Sequence, residues 1–462
     1  MDLGRDGGYG NGMRKSLAGA TRGRFRPGVL LSVALGCAGL ALPWPQPGRA
    51  TADEPRLPDV VLIVVDTLRA DRTRALLRAG RLPFLKRLSA RATRFSRVWS
   101  PSSWTPTATA SIFTGLHPHQ HGVRSGYLAL SGGERLVPVD RIASQLTTLP
   151  MVMGAAGYRT LGVSDNINIG ETMGFARGFE RFEQRAYEGA TWLGRSAARL
   201  WRARAADDRR PTFLYLHPMD PHAPYHRRAG YVAPIGPDGD RALARYDSEI
   251  VHLDRQLDRL SRRLSLGEHT LVIFTSDHGE AFGEHGQRGH PNQLYDELLS
   301  VPLLISIPGQ QAQVQVDEPV STLDILPTLR GLVGLPPGRD DAGMDLRAAM
   351  AGAVLPQRAL LSMRFSDFVQ PPLSRRALIL GGLKYIESAP SGRAELYDLT
   401  TDPGERHDLS RARPAERRRL SKQLAALLSR GPRFAAERLA VETSPQGEAS
   451  LLERLRALGY AQ

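Results

Sequence analysis

The sequence predicts an α/β fold, an open and mostly parallel sheet flanked by helices, from three observations. Val60 to Val65 and Thr270 to Thr275 are continuous apolar, β-branched runs ending in Asp66 and in Ser276-Asp277-His278-Gly279, the pattern of strands buried on both faces. Between them lie two more strand-like runs, Tyr158 to Val163 and Thr212 to His217, alternating with helical patterns, and such alternation builds parallel sheets. Finally, Asp66, His217 and Asp277 fall at the carboxyl ends of inferred strands, where open α/β sheets hold their ligands.

Taken in order, the chain opens with Arg14, Lys15, Arg22, Arg24 and Arg26 ahead of an apolar run from Val29 to Leu42, then Trp44, Pro45 and Pro47 before Ala50-Thr51-Ala52. This is the layout of a secretory signal over residues 1–52, with a retained N-terminal membrane anchor as the alternative. The run is shorter than the roughly 20 residues that span a bilayer. The expected location is therefore outside the cytoplasm, periplasmic or extracellular. Residues 53–350 form the expected main α/β domain, in which Ile250, Leu253, Leu257 and Leu260 mark the apolar face of a helix over Tyr246 to Leu264. After Pro337 the pattern changes. Ala377 to Ile386 and Glu395 to Leu399 read as antiparallel strands with Gly381-Gly382 as a turn, and Pro414 to Leu428 and Leu451 to Leu458 read as amphipathic helices. Residues 351–462 are thus expected to form a small C-terminal α+β subdomain with a helical tail.

Composition narrows the chemistry. The 462 residues are 41% hydrophobic and 23% charged, ordinary for a globular chain with a large core. Cys37 is the single cysteine, which excludes an internal disulfide and a cysteine-rich metal cage. Any metal must use oxygen and imidazole. The net charge is +14, yet only four of the 61 basic residues are lysines and the charge is spread without a basic-aromatic block, so no nucleic-acid partner is expected. The excess suits an anionic substrate or association with a membrane surface.

Several segments concentrate polar residues. On its own segment, Asp66 reads equally as a ligand or as the cap of a βα turn. In Ser100 to Val123, Thr105 followed by Pro106 reads as an N-cap and first helical residue, with Gly115 at the helix end. Capping is the simpler local reading, and a helix N-terminus is also an anion site. Asp277-His278 sets a carboxylate beside an imidazole at a strand end, a pairing suited to a borderline divalent cation; Gly279 permits the sharp turn this needs. His217, His222, His278 and His290 lie at strand ends or in the loops beyond.

With these segments in order, the chain resembles the sulfatase family of the alkaline phosphatase superfamily: VLIVVDTLRADR, the helix ending in Thr114-Gly115, FLYLHPMDPHAPY, VIFTSDHGEAFGEHG, GHPNQLYDELLSVPLL, VSTLDILPTL, ELYDLTTDPGERHDL and LRALGY. The resemblance implies an alkaline-phosphatase-like fold, with Asp66, Asp277 and His278 as metal ligands. It puts Thr105 at the nucleophile position, where it also meets the metal, and makes His222 and His290 contacts of the transferred anionic group, one of them protonating the leaving oxygen. His217 is counted with them as a substrate contact.

The chain departs from the pattern in ways that matter. The family usually carries Cys or Ser where Thr105 stands, followed by a proline and an arginine where Thr107 and Thr109 stand, so no formylglycine is expected. Thr67 replaces the usual second aspartate, and His278 the usual asparagine. These features resemble the phosphodiesterase, phosphonate-ester and phosphoethanolamine-transferase relatives. One divalent ion is implied, Zn²⁺ or Mn²⁺ before Ca²⁺ or Mg²⁺, in a hydrolase of sulfate or phosphate esters with a metal-activated Thr105. A transferase of phosphoryl-linked headgroups onto an envelope glycan or lipid, and a noncatalytic envelope-binding protein, are the alternatives. Asp71 and Asp324 are expected in caps or salt bridges, and Lys384 in subdomain packing.

Overall fold

A computed structural model describes residues 57–457, apart from 131–134, 206, 227, 229–240, 268, 368–370, 432 and 442–444. The expected leader over residues 1–52 lies outside the described residues. The main sheet has eight strands: β1 (Asp59–Val65), β2 (Thr93–Phe95), β3 (Arg159–Ser164), β4 (Arg181–Gln184), β5 (Thr212–His217), β6 (Thr270–Ser276), β7 (Leu303–Ser306) and β8 (Val314–Val316), in the order β8-β2-β7-β6-β1-β5-β3-β4. All run in one direction except β7, which is antiparallel to both β6 and β2. The sheet is thus mixed and mostly parallel, as the strand and helix alternation predicts.

β1 is central because its residues can be buried on both sides. Val60, Leu62 and Val64 join one apolar cluster, which includes Ile112 and Phe113 of the helix α1 (Thr105–Thr114). Val61, Ile63 and Val65 join the opposite cluster, which takes in the helices α2 (Ala190–Arg202) and α3 (Arg241–Arg263). The period of two along one strand therefore supplies two layers of core.

A second sheet has four antiparallel strands, β9 (Leu360–Ser366), β10 (Leu373–Leu380), β11 (Leu383–Ala389) and β12 (Arg393–Asp398). Gly381 and Gly382 make its two-residue turn at φ of 60° and 83°, backbone angles that glycine adopts without steric cost. One face of this sheet packs on Trp99, Leu294, Tyr295 and Leu299. The other packs on Leu420 and Leu424 of α4 (Pro414–Leu428). Here the sequence reading is incomplete: it finds the hairpin and β12 but not β9, the strand that bonds to Ser100 and Pro101. No helix among the described residues is long and apolar enough to cross a membrane.

Candidate active site

β5, β1 and β6 are adjacent and parallel, so the residues that follow their carboxyl ends emerge side by side. The Asp66 N–H donates to Pro218 O at 3.0 Å and the Asp277 N–H to Val65 O at 3.3 Å, which ties the three strand ends together. One ligand atom each from Asp66, His217 and Asp277 lies within 4.8 Å of the others, and all three residues are fully buried. Asp66 Oδ1, Asp277 Oδ2 and His217 Nε2 make no hydrogen bond. Buried polar atoms without partners are costly. Three of them converging in an oxygen-and-imidazole set fit a divalent cation, the group that the sequence implies. His217 therefore stands with Asp66 and Asp277 by position, not only with His222 and His290.

His278 lies against the same group, its Nε2 being 3.7 Å from Asp277 Oδ2 and 4.0 Å from Asp66 Oδ1. Its Nδ1–H donates to Gly279 O at 2.9 Å, which leaves the lone pair on Nε2, 3.0 Å from Thr105 Oγ1. The Thr105 hydroxyl thus serves the strand ends, not the helix. Trp104 occupies the N-cap and α1 begins at Thr105, with no side-chain cap. This corrects the N-cap reading of Thr105, while Gly115 closes the helix in the left-handed conformation as expected.

Electrostatics set the two carboxylates apart. Burial opposes ionisation of both, but at Asp66 the imidazoles of His217, His222 and His278 outweigh it and hold the group below its ordinary range. At Asp277 burial prevails, reinforced by the neighbouring Asp66 charge, and the carboxyl is pushed up. Such opposed shifts at one buried site are a mark of functional groups.

His222 and His290 face each other with ring centroids 5.0 Å apart, and His290 is also 5.0 Å from the His278 ring. His222 donates Nδ1–H to Ala223 O at 2.6 Å, and Tyr187 O–H holds that loop at His222 O. His290 Nδ1 meets Glu280 Oε1 at 3.0 Å. Burial lowers the pKa of His290 to about 3 and raises that of Glu280 to about 7. All seven residues singled out from the sequence are therefore brought to one place.

The supporting turns differ from expectation in detail. Gly279 is not in a left-handed conformation; it is needed because a Cβ there would stand 2.1 Å from Glu297 O. Thr67 does have positive φ, 55°, strained for a β-branched residue by about 1–3 kcal/mol. Its N–H donates to Asp277 Oδ1 at 3.1 Å, and its carbonyl accepts from the buried Tyr246 hydroxyl at 2.6 Å. Asp71 pairs with Arg69 at 2.9 Å, and Asp324 accepts from Ser321 N–H at 2.9 Å and pairs with Arg358.

Asn166, which the sequence reading passes over, donates Nδ2–H to Asp66 Oδ2. It stands two residues beyond β3, so the strand-end rule that finds Asp66 would also have found it. Tyr246 gives no such signal, because it lies within an amphipathic helix.

Comparisons with known proteins agree with this layout. The sulfatase family model matches residues 58–335. Arylsulfatase K of Bos taurus is 30% identical over 176 residues, 36% of this chain and 32% of the relative. A Delta 4,5-hexuronate-2-O-sulfatase of Bacteroides thetaiotaomicron is 28% identical over 195 residues, 40% of each chain. The chain thus spans only about a third to two fifths of the length of these curated relatives. Among solved structures, the phosphonate monoester hydrolase of Agrobacterium radiobacter superposes with a TM-score of 0.65 at 20% identity, covering 80% of this chain and 95% of its own. Fold and family match lead to one assignment: the chain belongs to the sulfatase family.

Proposed function

We propose that this protein is an exported, metal-dependent hydrolase of sulfate or phosphate esters that works through Thr105 as a covalent nucleophile. The observation that carries the reading is the Thr105 hydroxyl, 3.0 Å from His278 Nε2, beside the buried and unpartnered oxygens of Asp66 and Asp277 and the imidazole of His217. Export is supported by the basic, apolar and small-residue order of residues 14–52.

Asp66, His217 and Asp277 would hold the divalent cation, with His278 beside them turned toward Thr105. When bound, it lowers the pKa of a nearby hydroxyl and neutralises charge on the transferred group. The protein supplies the rest. The His278 lone pair accepts the Thr105 hydroxyl hydrogen and orients Oγ1. The N-terminus of α1, where Thr105 sits, offers unpaired backbone N–H groups and positive dipole to the anion. His222 and His290 flank the same space, and Glu280, whose pKa is raised to about 7, supplies the proton for the leaving oxygen through the neutral His290 ring: the Glu280 O–H passes to Nδ1 as Nε2–H is given up. Water then releases the group from Thr105. Sulfuryl and phosphoryl groups are both tetrahedral anions, and this donor set reads either.

The test combines metal analysis with turnover of 4-nitrophenyl sulfate, phosphate, phosphonate and phosphodiester substrates. Thr105→Ala is expected to lose at least about 10³-fold in kcat, and a chelator to abolish turnover until the ion is restored. Undiminished turnover by Thr105→Ala, or a fully active protein without a stoichiometric divalent ion, overturns the reading.

A further inference from the structure

Along β9, alternate residues turn toward the two faces of the second sheet. Leu361, Met363 and Phe365 pack toward α4. Leu360, Ser362 and Arg364 share the other face, where Leu360 packs with Trp99 and the Ser362 hydroxyl donates to Ser100 O at 2.6 Å. Met363 N–H donates to Pro101 O at 2.8 Å. The strand is thus laid against the segment that leads into Thr105.

Arg364 is 4% exposed. Its guanidinium carbon lies 4.6 Å from the centre of the Trp104 ring, and His290 also stacks on that ring, at 5.8 Å. One N–H donates to Phe365 O at 2.8 Å, while Nε has no partner. No carboxylate among the described residues forms an ion pair with it. Burial lowers its pKa to about 9, which leaves it charged at neutral pH, and its positive field reaches His290. A buried cation with no counter-ion is costly to keep. Stacking on Trp104 offsets part of that cost, and a bound anion would offset the remainder. The guanidinium fork also matches the oxygen spacing of sulfate and phosphate. Thr109 stands where the family signature carries an arginine, so α1 brings no such charge of its own.

We propose that Arg364 is a substrate-binding residue, whose guanidinium, held on Trp104 next to Thr105, pairs with an anionic oxygen of the transferred sulfate or phosphate group. This rests on the ester-hydrolase reading for its substrate, and it predicts anion binding in its own right.

The test is titration of inorganic sulfate and of inorganic phosphate into metal-loaded protein, followed calorimetrically for wild type, Arg364→Gln and Arg364→Lys. Wild type is expected to bind at least one anion. Arg364→Gln, folded by circular dichroism and thermal melting, is expected to bind it at least about tenfold more weakly, with a parallel rise in KM for 4-nitrophenyl esters. Arg364→Lys is expected to fall between the two. Wild-type affinity in folded Arg364→Gln overturns the proposal, as does the absence of binding by wild type. If Arg364→Gln does not fold, Arg364→Lys decides: unchanged affinity overturns the assignment and a several-fold loss supports it. Arg364-dependent anion binding without turnover of any ester would sustain the proposal while removing the hydrolase reading.

Discussion

His285 shows how a single side chain couples charge to the fold. It holds a left-handed conformation at φ 52°, its Nδ1 bonds Glu297 Oε1 at 2.9 Å, and its Nε2 lies 3.0 Å from Glu405 O. Its ring stacks on Tyr295 at 3.7 Å. Burial works against the imidazolium, but the Glu297 and Glu405 contacts outweigh it and raise the pKa. Because the folded value is raised, the stability it contributes is fully present below the unfolded value of about 6.5 and fades as pH climbs through the raised one. Asparagine tolerates the same backbone angle, so His285→Asn removes the charge without adding strain. The melting temperature of wild type is expected to fall between pH 6.5 and 9 by more than that of His285→Asn, and equal slopes would refute the linkage. The neighbours of His285 come from two other segments that no local pattern joins to it.

The turn after β6 depends on close approach of two backbones. Gly279 N–H donates to Leu298 O at 2.8 Å, and a methyl group at Gly279 would run into Glu297 O. Gly279→Ala is expected to cost about 1–3 kcal/mol, read by chemical denaturation, and to reduce turnover more than ground-state anion binding because it displaces His278. Wild-type stability would show that the turn yields freely. The long elements were legible: β1, β3, β5 and β6 carry enough β-branched and apolar residues to be read alone, and α4 spans Pro414–Leu428 as its pattern predicts. β2, β7 and β8 have only three or four residues each, too few for a period to appear, and the antiparallel β7 is set by its neighbours. Within the site, the strand-end rule reached Asp66, His217 and Asp277 because they follow such runs. Arg364 escaped it, since a charge in an edge strand reads as solvent-facing until the partner segment is known.

Lys384, fully buried in β11, ties the second sheet to the segment that precedes β7. Its Nζ bonds Asp296 at 2.7 Å and Glu405 at 2.8 Å, and these neighbours keep it protonated in spite of burial. Subdomain packing was its expected role, and the contacts show the physical form it takes. Removing one partner of a buried charge cluster leaves the others uncompensated, so Lys384→Met is expected to destabilise by about 3–5 kcal/mol in urea unfolding. A loss under 1 kcal/mol would mean that the cluster is already hydrated. The bonds from Ser362 and Met363 to Ser100 and Pro101 join stretches made far apart in time. On the ribosome, Asp66, His217 and Asp277 all emerge before residue 362 exists, whereas the backing of the Thr105 segment arrives later. A nascent chain can therefore bring the three strand ends together early and still lack a firmly seated Thr105, so the complete site follows the late-made strand.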